Sequence, residues 1–455
     1  MSDESATRTT APAAVRTPSG ARPVPGPVDP APPASTASRS VWFRRLVMVA
    51  VVLAALNLRP AITGLGALLE EVRAGLGMSG AVAGILTSVP AVTFAVFGIA
   101  APRLARRHGP AVVVCAGMAA IAAGLLIRPY AGGTPGFVAA TALALIGIAV
   151  SNVLMPVIVK RYFPDRVGTM TGLYSMALAI GTSTAAAATV PLTGALGGDW
   201  RTGLAVWGLL AAVAVLPWVL VVRSRGRHPD TAPVPAAPAP VPAPAVSTAP
   251  AAPGAGRPAG SIVRSPTAWA LAGFFGLQAT GAYITMGWLP QIFRDAGVPA
   301  STAGLLLAVT MVMGVPLAFV IPRLAARFRT QGPIAAVLGL SGLAGYTGLL
   351  LAPAEGAWAW ALLLGLSNCA FPLALTMIGM RSRSAAGTVR LSAFAQSTGY
   401  LISIPGPLLV GVLYEHTGSW GLPVALMAGL LVPQIVLGTL AGRDRTIEDE
   451  TGMRD

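Results

Sequence analysis

The stretch 75-GLGMSGAVAGILTSVPAVTFAVFGIAAPRLA-105 returns, altered but recognisable, as 295-DAGVPASTAGLLLAVTMVMGVPLAFVIPRLA-325. A constant shift of 220 residues lays Gly77 on Gly297, Ala83-Gly84 on Ala303-Gly304 and 102-PRLA-105 on 322-PRLA-325. The same shift pairs Gly198 with Gly418 and Trp200 with Trp420, and a slightly different one pairs 151-SNVLMP-156 with 367-SNCAFP-372. The chain is therefore built from two homologous halves that run in the same direction.

The solvent of those halves follows from composition. The 455 residues are 54% hydrophobic and 10% charged, with a mean hydropathy of +0.71. Soluble domains carry about 25% charged residues, so this chain cannot cover itself with polar surface in water. Twelve apolar stretches stand out, at 46–69, 80–100, 111–128, 136–158, 168–190, 203–222, 268–290, 302–321, 333–351, 357–378, 388–413 and 420–440. Most approach the ~20 residues that carry a helix across ~30 Å of hydrocarbon. Membrane strands are shorter and alternate, so the spans read as helices. The expected fold is an all-α membrane protein of twelve transmembrane helices, in two six-helix bundles related by a pseudo-two-fold axis. Such parallel repeats place a substrate site near the midplane between them.

The polar segments divide the chain accordingly. Residues 1–40 read as a disordered tail, too poor in apolar surface to offset chain entropy and lacking the apolar core of a signal peptide. Residues 41–222 form the first bundle, the Pro/Ala-rich stretch 223–264 a semi-rigid linker, residues 265–440 the second bundle and 441–455 a short tail. The charge of +15 follows topology. With the N-terminus inside, all but five of the 31 Lys and Arg fall on the cytoplasmic side. The exceptions are Arg73, Arg128, Arg201 and Arg294 in outer loops, and Arg59. This is the positive-inside bias, and it puts both termini in the cytoplasm. Nucleic-acid binding is not expected, because no recognition motif accompanies the charge. No phosphate-binding loop, nucleophile elbow or metal-binding helix occurs, and Cys115 and Cys369 make no metal pattern. The chain is expected to be neither an enzyme nor a cofactor carrier, and to work as a monomer in the bilayer.

The loop after the second span resembles a known pattern. Six plus six helices, a long central linker and 98-GIAAPRLARR-107 resemble the major facilitator superfamily, whose loop reads G-x-x-x-D-R-x-G-R-K. Gly98, Arg103, Arg106 and the basic Arg107 are kept; Pro102 stands in place of Asp and Ala105 in place of Gly. A looser copy is 318-AFVIPRLAAR-327. Within that superfamily, 56-LNLRPAITGLGALLEEV-72 and 84-GILTSVPAVTFAVFGIAAPRLARRHG-109 resemble the cyanate and 2-nitroimidazole transporter branch (CynX/NimT type). The resemblance implies a cavity lined by helices one, four, seven and ten, flanked by two, five, eight and eleven. It also implies gating by Arg103, Arg106, Arg107, Arg323 and Arg327.

Arg59 is the residue that most needs explaining. It lies about fourteen residues into its span, roughly 21 Å deep at ~1.5 Å per residue, and Pro60 removes a helix donor beside it. None of the sixteen Asp and Glu lies mid-span, so no deep carboxylate is available as a partner. Intramembrane ionisable residues usually face a cavity and mark a substrate path. Backbone carbonyls, Asn and Tyr could instead satisfy it. Asn57, Thr63, Asn152, Tyr174, Gln278, Tyr283, Asn368, Gln396 and Tyr400 are the polar residues that could complete a binding site with Arg59, although such side chains also serve as helix-to-helix glue. Arg390, near the inner end of its span, reads as a snorkelling or gate-loop residue. The expected function is secondary or facilitative transport of a small anion or polar organic solute, cyanate-like or nitroimidazole-like, across the cytoplasmic membrane by alternating access. The alternatives are a broad drug exporter, whose site would be apolar and aromatic, and a transport-dead sensor or scaffold. With no Asp, Glu or His inside a span, proton coupling would have to run through an outer carboxylate such as Glu70 or Glu71.

Overall fold

The computed structural model describes residues 34–225 and 262–451 of the chain. Most of the expected tail and the core of the Pro/Ala linker lie outside the described residues. Every expected span is helical, and no strand occurs among the described residues. Span 1 (Ala34–Asn57, resumed as Pro60–Ala67) leads through a short helix, Leu69–Leu76, into span 2 (Gly80–His108), span 3 (Pro110–Ile127) and span 4 (Thr134–Tyr162). Span 5 (Val167–Ala195) and span 6 (Trp200–Arg225) complete the first half. The second half holds span 7 (Pro266–Asp295), span 8 (Ala300–Val312 and Gly314–Arg327) and span 9 (Gly332–Leu351). Span 10 (Ala357–Asn368 and Ala370–Met380), span 11 (Ala385–Ser403 and Pro405–Thr417) and span 12 (Gly421–Ala441) follow.

Two boundaries differ from expectation. Span 1 is already helical at Ala34, inside the stretch read as tail. Beyond span 12 the chain is not merely a tail: Ile447–Thr451 is a further helical turn, anchored by the fully buried Ile447. Three apolar residues in fifteen gave no periodicity to read.

Eleven of the described helices are long and apolar enough to cross a membrane. Span 7, at 30 residues, is the exception in hydropathy, because it carries Gln278, Thr280, Tyr283, Thr285 and Gln291, all buried. Lipid-facing surface must be apolar, but a helix enclosed by its neighbours can carry polar groups that find partners there. Span 7 is such a central helix.

Proline positions explain three of the broken spans. Pro60 has no amide to offer the carbonyl of Leu56, and span 1 is interrupted at Leu58-Arg59. Pro372 likewise frees the carbonyl of Asn368 where span 10 breaks, and Pro405 follows the break in span 11. Such breaks are tolerated in a membrane only where the freed carbonyls meet protein or a cavity.

The end of the molecule bearing the loops between spans 1 and 2 and between spans 7 and 8, here called the top, is closed. Two helix pairs seal it, span 2 on span 11 and span 5 on span 8. The repeat phrase makes both seams. A Cβ on Gly84 would stand 2.9 Å from the carbonyl oxygen of Leu408, and one on Gly304 would stand 2.5 Å from that of Ala186. The glycines matched by the 220-residue shift therefore let two backbones meet on opposite sides of the molecule, as small residues do in membrane helix contacts.

Candidate functional site

Arg59 sits at the break in span 1, with φ −128° and ψ −26°, outside both helical segments. Its carbonyl receives the amides of Ile62 and Thr63 and the Thr63 hydroxyl (3.3 Å), so its backbone caps the half-helix Pro60–Ala67. That half-helix points its N-terminal, positive end at the break. The guanidinium is half-buried and makes no hydrogen bond or ion pair among the described residues. It lies within electrostatic range of Tyr283 in span 7 and Tyr400 in span 11, both from the other half. A positive charge and a helix N-terminus from the first half and two phenols from the second thus converge on one place.

Aromatic rings wall this place. Tyr400 stacks on Phe94 of span 2, with centroids 5.4 Å apart, and takes Phe275 of span 7 edge-on at 5.2 Å. Phe275 in turn meets Phe371 of span 10 at 5.7 Å. Above Tyr283 a cavity of about 10 Å³, lined by Ala61, Ile62, Leu65, Gly66 and Thr87 among others, separates the site from the closed top. Sequence reasoning missed Phe94, Phe275 and Phe371, because an aromatic residue in an apolar run has no distinguishing signal.

The other expected residues divide into two groups. Asn152 of span 4 is half-exposed with no hydrogen-bond partner among the described residues, free to meet a ligand. Gln396 holds Ser392 at 2.7 Å one turn below Tyr400, and Tyr174 meets its neighbour Ser175. Asn57 is buried, with its amide on the Leu53 carbonyl at 2.7 Å and its Oδ1 unpaired. Thr63 is spent on the Arg59 carbonyl. Gln278 and Asn368, by contrast, bind each other. Gln278 Nε2 donates to Asn368 Oδ1 at 2.8 Å and to the Asn368 carbonyl freed by Pro372 at 3.2 Å, while its Oε1 accepts from Gln434 of span 12 at 3.1 Å. This amide network borders a second cavity, of about 30 Å³, with Thr285, Tyr346 and Ser367 on its wall. A water needs roughly 10–15 Å³, so the cavity has room for at least two waters. Gln434 was the missed member; nothing in its sequence context pointed to span 7.

Arg128 was read as an outer-loop cation. It is buried (1% exposed), lies 5.5 Å from the Phe137 ring and donates through Nη1 to the Ala61 carbonyl at 3.0 Å, two residues from Arg59. Its Nε and Nη2 have no partner.

The top is locked by charges across the two halves. Arg294, at the end of span 7, grips Glu71 through both terminal nitrogens at 2.9 Å and Glu70 at 2.8 Å. Glu415, at the end of span 11, accepts from the Ala81 amide at the start of span 2 at 2.7 Å. Asp295 gathers Tyr414 (2.9 Å), Trp420 (2.7 Å) and Gln291 (2.7 Å), and Arg73 lies over the Tyr414 ring. The expected gate residues Arg103, Arg106, Arg107, Arg323 and Arg327 stand at the opposite end, the base. They are exposed and unpaired among the described residues.

Comparison with known proteins agrees with this architecture. The model of the Major Facilitator Superfamily matches residues 47–404. An uncharacterized transporter of Bacillus subtilis, YycB, is 34% identical over 90% of this chain and 95% of its own. The 2-nitroimidazole transporter of Escherichia coli is 33% identical over 89% of this chain and 97% of its own, and the cyanate transport protein CynX of the same organism is 28% identical over 85% and 95%. In three dimensions the chain is similar to a bacterial homologue of the human lysosomal transporter Spinster in an inward-facing, occupied conformation. The TM-score is 0.65 at 16% identity, over 88% of this chain and 95% of that one. With its twelve spans in two homologous halves, and with the family model and the relatives matching over most of its length, the chain belongs to the Major Facilitator Superfamily: it is a multi-pass membrane transporter of a small molecule, not an enzyme.

Proposed function

We propose that the chain carries a small planar anion or a polar heterocycle of the cyanate or nitroimidazole kind across the cell membrane by alternating access, with Arg59 as its principal contact. The carrying observation is the unpaired Arg59 guanidinium at the helix break, beside Tyr283 and Tyr400. A charge near the bilayer centre costs about 2.5–3.5 kcal/mol on insertion scales, and a bound anion or strongly polar group offsets that cost. A guanidinium presents a fixed fork of donors suited to planar acceptors, and the flanking rings suit a flat ligand. The names of the relatives at 33% and 28% identity point to the same ligand class.

The positive-inside bias makes the base cytoplasmic, so the arrangement with a sealed top is inward-facing. Uptake of radiolabelled cyanate and of 2-nitroimidazole into proteoliposomes, with each as competitor of the other, tests the reading. Saturable uptake of at least one, competed by small anions, is expected. Indifference to every planar anion together with transport of bulky apolar drugs would transfer the site to the aromatic walls and the function to drug export.

A further inference from the structure

The amide network behind span 7 surrounds a space that the transport reading does not use. The cavity of about 30 Å³ lies within the second half, among spans 7, 9, 10 and 12. Its polar wall is made of Gln278 and Thr285 from span 7, Tyr346 from span 9, Ser367 and Asn368 from span 10 and Gln434 from span 12. All but Asn368 are more than nine-tenths buried. None of these side chains is charged, and no Asp or Glu lies inside a span.

The hydrogen bonds decide which atoms are left for a ligand. Gln278 Nε2 has two hydrogens, and both go to Asn368, one to its side-chain oxygen and one to its carbonyl. Gln434 Nε2 donates to Gln278 Oε1. These hydrogens are thereby spent on protein oxygens, while acceptors remain. Gln434 Oε1 and the Ser367 hydroxyl meet no partner among the described residues. Thr285 and Tyr346 share only one long hydroxyl contact, of 3.4 Å. The backbone adds to this bias. The half-helix Ala357–Asn368 descends from the top and ends at the cavity wall. A helix C-terminus carries partial negative charge, and half-helix C-terminal ends at a mid-membrane cavity suit small cations.

The repeat shows that a polar cavity is not demanded by the packing of a six-helix half. The 220-residue shift lays Leu58 on Gln278 and Leu65 on Thr285, and both leucines are buried. The first half thus fills with hydrocarbon what the second lines with oxygen. Burying polar groups without full partners is costly, and a ligand that takes up the spare oxygens offsets that cost.

We propose that this cavity is a binding site for a small monovalent cation, sodium above all, held by Gln434 Oε1, Ser367 Oγ, Asn368 Oδ1 and the hydroxyls of Thr285 and Tyr346. Hard cations take oxygen ligands. Neutral oxygens suit a single charge, whereas a divalent ion would bring a second charge that no carboxylate offsets. The cavity has room for water beside the ion to complete its shell. A Cβ on Gly281 would meet nothing within 4 Å, and Gly281 and Asn368 are both partly exposed, so the wall is open on this side to an entering ion. Tyr283 lies between Gln278 and Thr285 on span 7, within electrostatic range of Arg59. An ion bound here therefore braces the helix that meets the solute. The site itself does not depend on which solute Arg59 binds.

Equilibrium binding of radioactive sodium to the purified full-length protein, with no solute present, tests this. The parent should retain sodium saturably, with unlabelled sodium chloride competing and choline chloride at equal ionic strength not competing. Ser367→Ala and Gln434→Leu should each weaken retention roughly tenfold or more, as expected for the loss of a contact to a charged group. Their melting temperatures in choline chloride should stay near that of the parent, and sodium should raise the melting temperature of the parent alone, since a ligand stabilises the state that binds it. Gln434→Glu, which sets a carboxylate against the cation, should instead tighten retention. No saturable retention by the parent would mean that the cavity holds only water, and would overturn the site. Retention that all three variants leave unchanged would place the ion elsewhere and overturn it equally. Neither result bears on cyanate or 2-nitroimidazole uptake, so failure here and failure of the solute reading are told apart.

Discussion

Arg59 was legible as soon as the spans were drawn, since a lone charge in an apolar run must be compensated and no acid was available. Its setting was only partly legible. Asn152 and Asn368 occupy matching places in the two halves, yet Asn152 is free while Asn368 is held by Gln278. The pairing depends on which side chain a third helix presents, and that is a tertiary fact. If Arg59 is the principal ligand contact, Arg59→Met should reduce binding by roughly ten- to a hundredfold, the loss expected when a hydrogen bond to a charged group worth about 1.5–3 kcal/mol disappears. Folding should survive, because the guanidinium has no protein partner to leave stranded. Arg59→Lys keeps the charge but loses the fork and should bind nearly as poorly. Ligand affinity by calorimetry, set beside the melting temperature of each variant, decides the matter. Normal binding by Arg59→Met would move the site elsewhere.

The spans could be read at the level of elements because apolar length is a strong signal, and the repeat named the two glycines that make the seams. The turn Ile447–Thr451 could not, since it is five residues long and mostly acidic, and its order comes from what it touches. Gly304→Leu would drive a side chain into the Ala186 carbonyl and should disfavour the closed top. Cysteine probes placed in the top loops of that variant should label several-fold faster than in the parent, with the chain still folded in membranes. Glu448 gives a pH-dependent counterpart. Burial works to raise its carboxyl, but hydrogen bonds from Ser382 and from the amides of Glu448, Arg383 and Ser384 together hold it below the usual carboxylate range. A group depressed in the folded state stabilises above its unfolded pKa, and that contribution is lost as pH falls through the folded one. Acidification through the range below about pH 4.5 should therefore loosen the turn. Hydrogen exchange at the Ile447 amide should quicken there before the spans respond, and Glu448→Gln should remove the step.

Across the whole molecule, two homologous halves with a site between them were expected from the repeat alone. Which end is sealed was not legible, because both states belong to one sequence and differ only in which contacts are made. Glu70 and Glu71 were singled out as outer carboxylates available for proton coupling. In the sealed state both grip Arg294, so their charge is tied to the closure of the top. Arg294→Gln should shift the balance towards the open top by at least roughly two- to fivefold, the size of an exposed ion pair, since Arg294 itself is only 17% exposed, and the shift should shrink in high salt. Accessibility of the top loops at low and high ionic strength measures it. Unchanged accessibility would leave the glycine seams as the whole lock. If transport proves to depend on a proton gradient and survives Gln at both Glu70 and Glu71, that route of coupling is excluded.

The acidic turn beyond span 12 has a bearing on biosynthesis. Spans 7, 10 and 11 enter the bilayer before residues 447–451 exist, so the hydrogen bonds from Ser382 to Glu448 and from Thr267 to Glu450 form only after the ribosome has finished span 12. The helix starts themselves do not wait, because Ser265 and Ser384 cap spans 7 and 11 from within; what the last residues add is the tie that joins those two starts.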